Sequence, residues 1–214
     1  WNACRFIQMN IPEEWGNEIE LEKAELDLPE QWILSRLSIT IQDYNQQLDR
    51  FHFNEAVKVL YDFIWSDFCD WYVEIAKTRF YGEDDSKANI ARTVALKCIR
   101  TVLALLHPYA PFITEELWNH FKQDGAFDLI VSPWPKSDSL QNETAEKDMS
   151  LLQNVITSIR SIRSRMNVPP SKFSDLVVRC TRVQESFLND HVALLRSLAK
   201  IENISMGETI KKPG

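Results

Sequence analysis

Apolar residues recur along most of the chain at spacings of three and four, and the long runs of that period lay out a mostly helical protein. Ile33/Leu34, Leu37, Ile41, Tyr44 and Leu48 form one such run. Pro29 suits the first turn of its helix, which should end near Arg50. From Phe53 to Lys77 two stripes coexist, Val57-Leu60-Ile64-Phe68-Trp71-Ile75 and Tyr61-Trp65-Cys69-Tyr72. A helix apolar on two faces belongs at the centre of a bundle. The pattern therefore predicts Trp65, Phe68 and Trp71 in the core, with Leu105 from the following helix. That helix is predicted over Ile90–Leu106, after a polar turn in which Ser86 is the expected N-cap. His107-Pro108 stops it, and Pro111 to Phe121 predicts a short helix with Glu115 and Glu116 in its opening turns. Upstream, Trp1 to Asn10 reads as the last turns of a helix, broken by Ile11-Pro12. An acidic connection runs from there to Leu28.

The grammar changes in the last third. Asp128 to Trp134 is brief and apolar and reads equally as a strand or an extended strap; Lys136 to Thr144 reads as a linker. Leu152, Val155, Ile159, Ile162 and Met166 then predict a helix closed by Val168-Pro169-Pro170. Asp175–Cys180 predicts a strand, Glu185–Ala199 a helix, and Ile201–Met206 a second strand. The expected architecture is mainly α: a helical bundle over residues 1–143, then a helix plus a small α+β appendage over 144–214.

Composition narrows the picture. With 44% hydrophobic and 11% aromatic residues the chain can bury a sizeable core, and five glycines argue against a turn-rich β fold. Cys4, Cys69, Cys98 and Cys180 stand far apart without a C-x-x-C pair, which reads as buried thiols in a reducing compartment rather than a zinc site. No run approaches the ~20 apolar residues that span a bilayer. Large apolar groups rarely begin a natural terminus, so Trp1 predicts a piece cut from a larger cytosolic protein. A net charge of −7 weakens any case for non-specific nucleic-acid binding, yet Arg160 to Lys172 is locally basic.

Candidate chemistry is sparse. His52, His107, His120 and His191 fall in no metal or nucleophile pattern. Cys69-Asp70 comes nearest, but helix neighbours point apart and Cys69 lies in an aromatic stripe. There is no phosphate-binding glycine motif. Polar residues inside helices offer more. Asn2 and Arg5 stand three apart on one face. Arg36 follows Trp32 by four, and a ring beside a guanidinium suits an unstacked base, although a core Trp with a solvated Arg fits the same spacing. Arg160 and Arg163 meet either phosphates or water. Asp70 and Lys77, seven apart, read as structural ion-pairing groups.

Five blocks taken together are specific: W-N-A-C-R-F (1–6), W-I-L-S-R-L (32–37), W-S-D-F-C-D-W-Y-V-E-I-A-K (65–77), L-L-H-P-Y-A-P-F-I-T-E-E-L-W (105–118) and I-R-S-I-R-S-R-M-N-V-P-P-S-K (159–172). In this order they resemble the anticodon-binding region of valyl-type class I aminoacyl-tRNA synthetases. The helical core of that region is shared with the isoleucyl, leucyl, methionyl and cysteinyl branches. The resemblance implies a bundle that receives the anticodon loop of tRNA(Val), whose middle base is A and last base C. It places Arg5 and Trp32 against those bases, Asn2 and Arg36 as supporting contacts, and Arg160 and Arg163 as possible phosphate contacts. It implies no catalytic residue, metal or cofactor in this chain. ATP and magnesium would belong to a catalytic domain of the same parent chain, because the H-I-G-H and K-M-S-K-S signatures are absent. A C-terminal coiled coil would follow Gly214. Arg165 stands where the family pattern leads one to expect an acidic residue. The implied setting is cytoplasmic, with no membrane or DNA partner. An isoleucyl-type module and a purely structural helical domain are the alternatives.

Overall fold

A computed structural model describes residues 1–12, 18–123, 125–138 and 140–210. Residues 13–17 of the acidic connection and residue 139 of the linker lie outside the described residues. The chain divides into two compact units, Trp1–Glu146 and Lys147–Gly214. The division falls inside a helix rather than ahead of it.

Among the described residues the regular elements of the first unit are helices. These include α1 (Asn2–Met9), α2 (Leu28–Asp49), α3 (Phe53–Asp62), α4 (Val73–Phe80), α5 (Asp85–Leu106) and α6 (Pro111–Phe121). Pro29 and Pro111 sit in the first turns of α2 and α6, where a missing N–H leaves nothing unsatisfied. Asp84, not Ser86, caps α5. Its Oδ1 accepts the Lys87 amide at 3.0 Å, and a carboxylate there also complements the positive end of the helix. The segment Asp128–Trp134 is an extended strap with one 3-10 turn, Leu129–Val131. It is held to the bundle where Glu115 accepts the Leu129 amide at 2.8 Å and Trp134 Nε1 donates to Asn45 at 2.8 Å. The Ile130 amide is taken by the same Glu115 carboxylate, at 3.3 Å.

The helix from Phe53 runs to Phe80, but not as a regular α-helix. Phe63–Tyr72 is π-helical, with hydrogen bonds reaching five residues rather than four. The wider turn slips the phase by one residue. Buried positions run Ala56, Leu60, Phe63 and then Phe68, Tyr72, Ala76 and Phe80, so one step of five interrupts the threes and fours. This slip overturns part of the expected core. Phe68 and Leu105 are buried as predicted, whereas Trp71 is half-buried and Trp65 is 57% exposed, stacked on Tyr61 at 5.9 Å. Tyr44 closes the core from α2, its hydroxyl donating to the Leu105 carbonyl at 2.6 Å.

The remaining elements are α7 (Glu143–Arg165), which starts in the first unit, then β1 (Ser174–Arg179), α8 (Arg182–Asp190), α9 (Val192–Ala199) and β2 (Ile201–Gly207). The two strands are parallel, pairing Leu176 with Ile204 and Val178 with Met206. A parallel pair needs a long crossover, which α8 and α9 provide. The single helix expected over Glu185–Ala199 starts earlier and is split at His191. Thr181 and Gln184 form a capping box at its start, and Lys200 turns the chain into β2 with φ 55°. On α7 the buried stripe is Met149, Leu152, Ile156 and Ile159, and the predicted Ile162 and Met166 are exposed. The next position of that stripe is Arg163.

Candidate nucleic-acid interface

Helix α1 is short and depends on neighbours for its place. Ile7 is buried, and Phe6 packs on Phe80 with ring centroids 6.0 Å apart while the Lys77 ammonium lies 5.4 Å from its ring. Asn10 closes the helix by donating from Nδ2 to the Phe6 carbonyl at 2.8 Å, and Arg92 Nε donates to the Asn10 carbonyl at 2.9 Å. Gln8 meets His120 of α6 at 3.3 Å. With its inner side anchored in this way, α1 turns Trp1, Asn2, Arg5 and Met9 to solvent. Among the described residues the Arg5 guanidinium makes no ion pair or hydrogen bond, so its forked donors remain available. Trp1 is 65% exposed and one turn before Arg5. The spacing sought at Trp32 and Arg36 is therefore repeated on α1. The repeat is visible in the letters, Trp1 and Arg5 standing four apart like Trp32 and Arg36.

Trp32 is a correction. It is 3% exposed, inside α2, which packs against α3, the π-helical segment and α5. A ring enclosed in this way has no face to offer a base. Arg36 is also redirected. Its Nε donates to Asp67 at 2.9 Å and its Nη1 lies 3.7 Å from Glu146. Burial would depress the guanidinium, but the Asp67 and Glu146 charges hold it above its usual value. Asp67 is raised by burial and by repulsion from Glu146 and Asp62, against the pull of Arg36. Ser35 completes the cluster, donating to Glu146 and accepting the Asn142 amide at 2.8 Å.

Arg160 and Arg163 of α7 are engaged within the second unit. Arg160 Nε donates to the Leu198 carbonyl at 3.0 Å. Arg163 binds Ser174 Oγ and the Lys172 carbonyl, each at 2.5 Å, and the Pro169 carbonyl at 3.2 Å. It fastens the turn into β1, so its donors are not directed to a phosphate. Lys77 pairs with Glu74 on its own helix rather than with a neighbouring one. The Cys69 thiol is pushed up by burial and then by Asp70, the opposite of an activated nucleophile.

One polar cluster had no signal in the sequence. Asp27 accepts from Arg79 at 2.7 Å and from Lys87 at 2.8 Å. Beside it, Glu30 is 2% exposed, and its Oε1 and the Arg79 Nε have no hydrogen-bond partner among the described residues. A cavity of about 10 Å³ is lined by these residues together with Glu25, Lys87 and Ile90. Burial pushes the Glu30 carboxyl up to about 7, despite Arg79.

The described residues thus form a helical bundle, with an exposed polar face on α1, and a unit built on a parallel strand pair. The model of the anticodon-binding domain of tRNA ligases matches residues 30–178, and the chain belongs to that family. Its relatives include the valine–tRNA ligase of Bacillus subtilis, 41% identical over 84% of the chain and 20% of the relative. That of Halalkalibacterium halodurans is 39% identical over 100% of the chain and 24% of the relative. That of Carboxydothermus hydrogenoformans is 39% identical over 94% and 23%. The chain thus spans about a fifth to a quarter of the length of these relatives.

Proposed function

We propose that the chain is the anticodon-recognition module of a valine–tRNA ligase, supplying identity discrimination while the rest of the ligase performs the ATP-dependent esterification. The observation that carries this reading is the run of valine–tRNA ligases matched over nearly the whole chain. The α1 face adds a physical basis. Arg5 offers forked donors that have no partner among the described residues, Asn2 an amide on the same side, and Trp1 a ring one turn away. Rings stack on any base, and forked donors choose among base edges. Magnesium and ATP would bind outside this chain, and the protein would act in the cytoplasm.

The test is a titration of the chain with valine and isoleucine anticodon stem-loops at two salt concentrations. Preference for the valine loop, weakening with salt, is the expected result. Preference for the isoleucine loop would place the chain in an isoleucyl-type role, and equal binding of both in a non-discriminating one. Binding of neither would remove the RNA reading altogether.

A further inference from the structure

Arg5 is exposed and has no hydrogen bond or ion pair among the described residues, so its aim is set by α1 rather than by a contact of its own. Eight residues are too few for a helix that stands alone, and α1 carries no basic residue in its last turn. Its C-terminal carbonyls thus have no complementary charge on the helix itself. Arg92 of α5, half-buried, supplies one, and its guanidinium makes three contacts. Nε donates to the Asn10 carbonyl at 2.9 Å, at the end of α1, and Nη1 donates to Asn89 Oδ1 at 2.8 Å on α5. The guanidinium carbon lies 5.9 Å from the centre of the Phe80 ring. Phe80 is in turn the ring on which Phe6 packs, and Asn10 reaches back to the Phe6 carbonyl.

The planar fork fixes direction as well as charge. Arg92→Lys would keep the charge, but a point ammonium cannot hold Asn10 and Asn89 along two fixed axes while lying over Phe80. Ile7, fully buried, seats the middle of α1, with Asn10 on one side of it along the chain and Arg5 on the other. Movement of the Asn10 end about Ile7 therefore swings Arg5 the opposite way. A displacement of about 1 Å at a positioned group can cost on the order of 10²-fold in rate. We propose that Arg92 is a positioning residue for anticodon discrimination, acting through Arg5 rather than on RNA itself by fixing the end of α1. The inference rests on the reading of α1 as the anticodon face.

Charging by the complete ligase, on tRNAs that differ only at the middle anticodon base, tests it. Arg92→Ala should flatten the ratio of kcat/KM values by about ten-fold, in the same sense as Arg5→Ala. In the Arg5→Ala background Arg92→Ala should change that ratio by less than about two-fold, because the side chain it positions is already gone. Arg92→Lys should recover most of the melting temperature lost in Arg92→Ala but not the ratio, and it carries the test if Arg92→Ala does not fold. Lys97, another cation of α5, pairs with Asp138 at 2.6 Å, and Lys97→Ala should leave the ratio unchanged. An unchanged ratio in folded Arg92→Ala or Arg92→Lys, or losses that multiply in the double variant, overturns the proposal. Equal flattening by Lys97→Ala overturns it too, since the loss would then report destabilisation alone. If Arg5→Ala itself leaves the ratio unchanged, the reading of α1 falls and this inference with it. A flattened ratio in Arg5→Ala beside an unchanged one in Arg92→Ala sinks this inference alone.

Discussion

Two segments of the first unit carry the same spacing and meet opposite fates. Trp1 and Arg5 on α1, like Trp32 and Arg36 on α2, stand four apart. On α1 the ring and the guanidinium face water. On α2 the ring is in the core and the guanidinium is bound to Asp67. Helical spacing puts a ring beside an arginine in both cases, and the number of covered faces decides what the pair can do. Helix α1 is covered on one side only. Helix α2 is covered by three elements and also by Ser137 and Asp138 of the linker, which bond Ser38 at 2.9 and 2.6 Å. The shared spacing thus gives a solvent-facing pair in one place and a structural joint in the other.

The largest effect that sharpens this contrast is at Trp32. Trp32→Ala should lower stability by ~3–5 kcal/mol in denaturant unfolding, through lost burial and the cavity left behind. Trp1→Ala should stay within ~0.5 kcal/mol. Equal effects at both would break the comparison. Burial of α2 extends to its first turn, so Glu30 gives a pH signature. Its folded-state value lies above the unfolded one, and the folded protein therefore holds the extra proton. Stability should be greatest below about pH 4.5 for this group and fall by about 3 kcal/mol as pH rises to about 7, flattening beyond. Glu30→Gln should abolish that slope in melts across the window.

Arg36→Ala comes next. It leaves Asp67 and Glu146 facing each other half-buried and should cost ~1–3 kcal/mol, largely restored by Arg36→Lys only if the charge matters more than the fork. The smallest stability effect is at Arg5. Arg5→Ala should change unfolding by no more than ~0.5 kcal/mol. In the complete ligase it should nevertheless flatten charging ratios among tRNAs that differ at the middle anticodon base. Unchanged ratios in a folded variant would move the reading face elsewhere.

Much of the bundle was legible because its signals are local. Pro29 and Pro111 fixed two helix starts, and the run from Ile33 to Leu48 gave α2 nearly whole. The misreadings share one cause, which is that periodicity is blind to what comes from far away in sequence. Trp65 was assigned inward because the count assumed 3.6 residues per turn through a segment that is π-helical. Arg163 looked outward by heptad counting, yet it fastens carbonyls of the turn that follows. Nothing in the stretch around Glu30 signals its burial, because the cavity it lines is completed by Arg79, some fifty residues later. At the candidate site Asn2 and Arg5 followed from the first block. The exposure that separates Arg5 from Arg36 is a tertiary property.

The π-helical stretch also bears on how this helix tolerates change in length. It amounts to one residue more than an α-helix of the same span would need, like a spare tooth in a gear. Deleting one residue between Phe63 and Phe68 would leave the upstream half in mesh and let the segment relax to α geometry. Keeping the stretch regular without such a deletion would instead turn everything after it by about 100°. Arg79 would then rotate away from Asp27, and Phe80 away from Phe6. The anchoring of α1, and with it the direction in which Arg5 points, is geared to the α2–α5 core through that extra residue.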